Sequence, residues 1–172
     1  MHTLKRSVLI GIPTIWLALS LAGPARADGL SAEDAQALAK FLLTQPLVEK
    51  AIAFHDALVA AHDVNAVLAL ERALGTEGSL GEAAHALEGN GTAARALKAA
   101  RLSARDYLLT VVSVIQAQVA MQMQDVQKGP PTKESGLNPK NLDFARSHDA
   151  LLKKLEASQD RLRDAFVPAS AH

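Results

Sequence analysis

Residues 103–127 read SARDYLLTVVSVIQAQVAMQMQDVQ, and they form the strongest helical pattern in the sequence. A capping box, Ser103-Ala-Arg-Asp106, opens this segment, because serine followed three residues later by an acidic residue is typical of a helix N-terminus. The run 111–115 is β-branched and could be read as a strand, but the length of the segment and its flanks favour a helix. The helical spacing is carried by Tyr107, Leu108, Val111, Val112, Ile115, Val119 and Gln122.

The remainder of the chain from residue 28 onward also indicates helices. Alanine, the strongest helix former, is frequent, and β-branched residues are scarce outside 111–115. Glycine and proline divide this part of the chain. The predicted segments are a first helical pair over 28–75, short helices and turns over 76–102, a long third helix over 103–127, a Gly/Pro loop over 128–138 and a last helix over 139–166.

Capping residues predict the individual helix ends. The first helix is expected to reach about Leu43, the second to run from Pro46 to about His62, and a continuation to end at Gly75. The expected caps elsewhere are Ser31, Asp63, Ser79, Thr92 and Asn138.

The last helix carries a regular apolar row. Its members alternate in steps of four and three, which is the spacing of a helix face that packs on a partner helix. The sequence therefore predicts an all-α fold, an antiparallel bundle of four main helices with short inserted helices. The row consists of Phe144, His148, Leu151, Leu155, Ser158, Leu162 and Ala165.

The first 27 residues have the composition of a cleavable signal peptide. Lys5 and Arg6 precede an uncharged, strongly apolar run over 7–25, and Ala25-Arg-Ala27 supplies the small-x-small pattern that places the cut before Asp28. The alternative is a retained membrane anchor, since the run is nearly long enough to span a bilayer. We expect cleavage, a periplasmic or secreted protein, and no stable membrane insertion afterwards.

Composition excludes several functional classes. The 172 residues include 18 basic and 18 acidic side chains and no cysteine. Removal of residues 1–27 takes three basic residues and the single tryptophan, which leaves a net charge of −3 and five aromatic rings. Without cysteine there is no disulfide, thiolate metal site or iron–sulfur cluster. Without a basic excess we expect no nucleic-acid partner.

Three residues are candidates for cofactor binding. His148 lies on the apolar row of the last helix, as either a buried neutral imidazole bonded to a neighbour or a haem or metal ligand opposite Met121 or Met123. Few aromatic rings are present to line a porphyrin, and the two methionines lie on different helix faces. Tyr107 is the third candidate, although a core residue with its hydroxyl at the rim explains it as well.

Three further histidines are candidates for metal ligation. His55 and His62 share a helix face but are seven residues apart, about 10 Å of helix rise, which is too far for one metal ion. Glu82-Ala-Ala-His85 matches the Glu-x-x-His element of di-iron bundles, of which two copies are needed. Met121-x-Met123 is a short pattern for copper binding by thioethers. We expect neither a bound metal nor another cofactor.

Catalytic motifs are missing from the sequence. It has no Gly-x-Ser-x-Gly, no His-Glu-x-x-His and no glycine-rich phosphate loop. We therefore expect no catalytic residues and a binding or structural role. The expected partner is another envelope protein or a small apolar ligand held between helices, and a homo-oligomer is also open. The alternative function is a bundle that binds haem or a transition metal through His148.

Two short motifs resemble those of a known group of proteins. One is Leu102-Ser103-x-Arg105-Asp106-Tyr107 followed by an apolar helix ending in Gln116-Ala117, and the other is Asn141-Leu-Asp-Phe144-Ala-Arg-Ser-His148. The C-terminal half thereby resembles a family of small exported all-helical proteins of Gram-negative bacteria. This resemblance implies an exported compartment and a helical fold and transfers no site residue. It adds weight to Tyr107 and His148 as positions to test.

Overall fold

The structure, a computed structural model, describes residues 31–75, 78–127 and 138–166. Within these ranges the chain forms eight helices and no strands, which confirms the all-α class. The antiparallel arrangement of four main helices stays a prediction. The predicted signal peptide over 1–27 and nearly all of the predicted loop over 128–138 lie outside the described residues.

The helices are numbered here in chain order. They are α1 (Ala32–Lys40), α2 (Gln45–Ala61), α3 (Val64–Gly75), α4 (Leu80–Gly89), α5 (Gly91–Ala99), α6 (Ala104–Gln127), α7 (Pro139–Ser147) and α8 (Asp149–Phe166).

Most predicted caps are seen as hydrogen bonds to the first turn of a helix. The side chains of Ser31, Asp63, Ser79, Ser103 and Asn138 accept backbone N–H groups at the starts of α1, α3, α4, α6 and α7. The prediction of Thr92 as a cap is wrong. Asn90 caps α5 instead, because its Oδ1 accepts the N–H groups of Thr92 and Ala93 at 3.1 and 2.9 Å.

Helix α1 ends at Lys40, three residues before the predicted end at Leu43. Phe41 has extended backbone angles (φ −69°, ψ 135°), and residues 41–44 form a linker to α2. Two side chains near the start of α7 bind this linker. Asn141 accepts the Leu43 N–H and donates to the Phe41 carbonyl, and Asn138 donates to the same carbonyl. These bonds satisfy backbone groups that a longer helix would otherwise pair.

The predicted last helix over 139–166 is two helices, α7 and α8, which are separated at His148. The backbone of His148 leaves helical geometry (φ −123°, ψ 32°). The Ser147 hydroxyl donates to the carbonyls of Asp143 and Phe144, and His148 Nδ1 contacts the Phe144 carbonyl at 3.0 Å. Side-chain bonds of this kind compete with the helical ladder and end α7.

The core is built around α2. This helix packs along α8 and also contacts α5 and α6, whereas α6 contacts α1, α2, α4 and α7. Phe54 of α2 and Tyr107 of α6 are among the largest fully buried side chains. One polar side chain from each of α2, α6 and α8 also lies in this core, and the three are in contact.

Candidate functional site

A chain of three polar side chains runs through the core and joins three helices. His55 of α2, Tyr107 of α6 and Ser158 of α8 are each 0% exposed. His55 Nε2 lies 2.8 Å from the Tyr107 hydroxyl, and His55 Nδ1 lies 2.8 Å from Ser158 Oγ. We call these residues the buried polar chain.

The hydrogen-bond donors in the buried polar chain follow from its last member. Ser158 Oγ donates to the Leu155 carbonyl at 2.6 Å, so its single proton is committed there and it accepts from His55. His55 must then carry its proton on Nδ1, which makes Nε2 the acceptor of the Tyr107 hydroxyl proton. This assignment follows from the network rather than from visible hydrogens. A neutral imidazole satisfies all of these bonds.

Burial fixes the charge state of the buried polar chain. It lowers the pKa of His55 from 6.5 to about 4, an effect that Asp56 opposes and Arg161 reinforces. Burial also raises the pKa of Tyr107 well above its usual value. Both groups are therefore neutral around pH 7. Asp56 and Arg161 form a half-exposed ion pair at 2.7 Å that joins α2 to α8 on the surface.

The chemistry open to the buried polar chain is limited by its enclosure. A serine beside a histidine suggests nucleophilic catalysis, in which the imidazole accepts the hydroxyl proton. Here the Ser158 proton points to the backbone of its own helix, and none of the three side chains is exposed. Tyr107 also packs edge-on against Phe54, with ring centroids 4.7 Å apart. The arrangement holds α2, α6 and α8 in register.

Tyr107 differs in the structure from what the sequence indicated, whereas His55 and His62 lie apart as expected. The hydroxyl of Tyr107 is not at the rim of the core but inside it, bonded to His55. His55 does not pair with His62, because His62 is an exposed residue in the left-handed conformation (φ 49°) that ends α2. His85 is exposed on α4. The structure thus brings Tyr107 together with His55 and leaves the other two histidines at the surface.

His148 lies at the junction of α7 and α8, half-buried rather than within a continuous apolar row. Its ring stacks on Phe144 with centroids 4.1 Å apart and an angle of 13° between the planes. Nδ1 also lies 2.9 Å from the Ser147 hydroxyl. Met121 is partly buried against the core of α6, and Met123 is 56% exposed. These contacts explain His148 as the residue that ends one helix and begins the next.

A polar cluster that the sequence analysis missed binds the α1–α2 linker. Asn141 is 1% exposed, and its side chain bonds to Phe41 and Leu43, about a hundred residues earlier. The side-chain amide of Asn138 likewise donates to the carbonyls of Ala39 and Phe41. In the sequence, Asn138 was predicted only as a helix cap, and Asn141 was noted only as part of a motif. Because partners this distant leave no local pattern, the cluster is visible only in the fold.

The outward face of α6 is apolar and uncharged. From Tyr107 to Gln124 the sequence contains no charged residue, whereas the exposed face of α8 carries both signs of charge. Val119 and Met123 are 41% and 56% exposed. We call the row formed by Val112, Ile115, Gln116, Val119, Gln122 and Met123 the outer seam. Val119, Gln122 and Met123 are exposed, whereas Val112, Ile115 and Gln116 are half-buried.

A shallow apolar crevice adjoins the outer seam between α6 and α8. It is lined by Val111, Val114, Ile115 and Gln118 of α6 and by Leu152, Leu155, Glu156 and Gln159 of α8. Its free volume of about 10 Å³ has room for about one water molecule. A small apolar ligand would therefore enter only if α6 and α8 moved apart.

Comparison with known proteins adds no relative to this picture. No protein-family model, no curated protein and no solved structure matches the chain. In the part of the chain that the structure describes, no three His, Asp or Glu side chains are grouped so that they could hold a metal ion. No helix over the same residues has the length and apolar character needed to cross a membrane.

Proposed function

We propose that this chain is an exported helical protein that acts by binding, without catalysis, and that the outer seam of α6 is its binding surface. The observation that carries the proposal is the uncharged run from Tyr107 to Gln124 on a helix with exposed Val119 and Met123. Surface helices normally present charged side chains to water. An apolar row that a protein keeps in contact with water is typical of an interaction site.

The other exposed apolar side chains form a weaker surface. Val64 and Leu68 of α3 are 53% and 40% exposed, but Asp63 precedes Val64 directly, and Glu71 and Arg72 follow Leu68 within about one turn. Leu42 lies alone in the α1–α2 linker. Isolated apolar residues among charges are usual on protein surfaces. The outer seam differs because apolar and amide side chains extend over three helical turns.

Two further features support the remaining parts of the proposal. A non-catalytic role is supported by the closure of the buried polar chain, whose three side chains are 0% exposed. Export is supported by the sequence of residues 1–27, with Lys5 and Arg6 before an apolar run and Ala25-Arg-Ala27 at its end. Amino-terminal sequencing of the purified protein tests export directly, and the expected first residue is Asp28.

In-cell photocrosslinking tests the binding surface. A photoreactive phenylalanine analogue is placed at Val119 in the full chain and, as the control, at Lys154 on the charged face of α8. Illumination is expected to give crosslinked adducts from position 119 and none from position 154. Adducts at neither position, from a variant whose helical circular dichroism is unchanged, would refute the proposed surface.

The alternative function is a bundle that binds haem or a transition metal through His148. One observation favours it, namely that His148 Nδ1 contacts the Phe144 carbonyl at 3.0 Å, since histidine ligands commonly donate their other ring N–H to a backbone carbonyl. Absorption spectra and elemental analysis of the purified protein decide between the two functions. A stoichiometric metal or a Soret band that His148→Ala abolishes would replace binding through the outer seam as the preferred function.

A further inference from the structure

We infer that the outer seam of α6 binds the outer seam of a second copy of this chain. This inference rests on the proposed function, because it uses the same surface and names its partner. The surface to be covered extends from Val112 to Met123, about 16 Å along the helix axis. Three features of this surface favour a second copy over a different protein.

The first feature is the absence of charge. Helices that select a different partner usually flank their apolar row with Lys and Glu, whose salt bridges determine which helix binds and in which direction. The outer seam has no such residue between Tyr107 and Gln124. Within the row two copies therefore meet without repulsion between like charges, and nothing in the row selects an oppositely charged partner.

The second feature is the position of the glutamines. At 100° per residue, Gln116 and Gln122 lie on opposite edges of the row, with Val119 between them. A glutamine amide has both donor and acceptor groups, so it pairs with an identical amide as well as with any other. A row with amide edges on both sides is thus complementary to itself, as a symmetric interface requires.

The third feature is the spacing of the apolar residues. Val112 and Val119 are seven residues apart, and Ile115 lies between them at steps of three and four, which is the spacing of a two-helix seam. Ile115 also lines the crevice between α6 and α8. The crevice therefore borders the outer seam, but at about 10 Å³ it is too small to receive a side chain, and the contact with the second copy rests on the row itself.

Sedimentation velocity of the purified protein over a range of concentrations measures its self-association. The protein is expected to change from monomer to dimer as its concentration rises. Val119→Glu places a charge in the centre of the row and is expected to weaken the dimer by about tenfold or more. Leu68→Glu is the matched control, since Leu68 is 40% exposed against 41% for Val119 but lies on α3. This control is expected to dimerise like the unchanged protein.

Single cysteines provide a second measurement, which the cysteine-free chain makes simple to read. Cysteine is introduced singly at Val112, Val119 and Met123, and as controls at Leu68 and Lys154. Mild oxidation is expected to give a disulfide-linked dimer from at least one position of the outer seam and from neither control. Because a disulfide needs closely spaced Cα atoms, this result would locate the contact on α6.

The outcomes separate this inference from the proposed function. A monomer at all concentrations, with photocrosslinks from position 119 only to proteins of other mass, would overturn the second copy and keep the binding surface. A dimer that Val119→Glu leaves unchanged, with no disulfide from the outer seam, would also overturn the inference. Photocrosslinks from position 119 at twice the chain mass, lost with the dimer in Val119→Glu, would support both.

Discussion

The inner and outer faces of α6 use polar and apolar groups in opposite ways. On the inner face Tyr107 belongs to the buried polar chain, whose hydrogen bonds tie α6 to α2 and α2 to α8. On the outer face Val119 and Met123 are exposed, and the sequence from Tyr107 to Gln124 contains no charged residue. We therefore expect substitutions on the inner face of α6 to alter stability and substitutions on its outer face to alter binding.

The largest effect is expected for His55→Ala. The change leaves a cavity where the imidazole was and removes the partner of two buried hydroxyls, those of Tyr107 and Ser158. Together these losses should lower the free energy of unfolding by about 4 kcal/mol. Urea denaturation followed by circular dichroism measures it. His85→Ala is the control, because His85 is exposed on α4 and should change stability by less than about 0.5 kcal/mol.

Lowering the pH is expected to cause the next largest loss of stability on the inner face. Since burial lowers the pKa of His55 from 6.5 to about 4, the unfolded chain binds a proton that the folded protein does not bind between these pH values. The contribution of His55 is therefore complete above pH 6.5 and is lost as the pH falls towards 4, by about 3 kcal/mol. Urea denaturation across this range measures the loss. His55→Gln lacks the titrating group, so a pH profile equally steep in both proteins would contradict the assignment.

A smaller loss is expected for Tyr107→Phe. The ring and its edge-on contact with Phe54 remain, but His55 Nε2 loses its donor inside the core. An unsatisfied buried acceptor should cost about 1.5 kcal/mol in the free energy of unfolding. The same denaturation assay measures it. A loss close to that of His55→Ala would show that the tyrosine does more than donate this bond.

Removing the hydroxyl of Ser113 should have the opposite sign. Among the described residues, Ser113 Oγ is the buried side-chain polar atom without a hydrogen-bond partner. Ser113→Ala removes that unpaired group and also raises helix propensity, so the protein should gain about 1 kcal/mol. The expected observation is a higher midpoint in urea with an unchanged slope. A loss of stability instead would mean that the hydroxyl is bonded in solution.

The smallest effect on folding is expected on the outer face. Val119→Glu exchanges one exposed side chain for another on a long helix and should change the free energy of unfolding of the monomer by less than about 0.5 kcal/mol. The measurement is urea denaturation at the lowest workable concentration, where self-association contributes least. A loss of about 2 kcal/mol there would place Val119 in the core and remove the distinction between the two faces.

Local patterns predicted the helices well, because capping and spacing act over a few residues. The long helix predicted over 103–127 is Ala104–Gln127 in the structure, and Ser79, a predicted cap, forms a capping box with Glu82. The break at His148 escaped prediction because the apolar row continues in phase through it. Only the bonds of Ser147 and His148 to preceding carbonyls reveal that the helix ends there.

The buried polar chain could be predicted only in part. Tyr107 and His55 were both candidates, but their partnership joins residues 52 positions apart, and that of His55 with Ser158 joins residues 103 apart. A signal did exist, since Ser158 interrupts the apolar row of the last helix between Leu155 and Leu162. A polar residue in such a row indicates a partner across the core. Which residue is that partner depends on how the helices pack.

The asparagine bonds to the α1–α2 linker have a consequence for the order of folding. The backbone groups of Phe41 and Leu43 bind Asn141, which lies 98 to 100 residues later in the chain. These groups therefore stay hydrated until residue 141 is free to pack against them. Formation of the α1–α2 linker thus depends on α7, and contacts this distant in sequence are expected to slow folding.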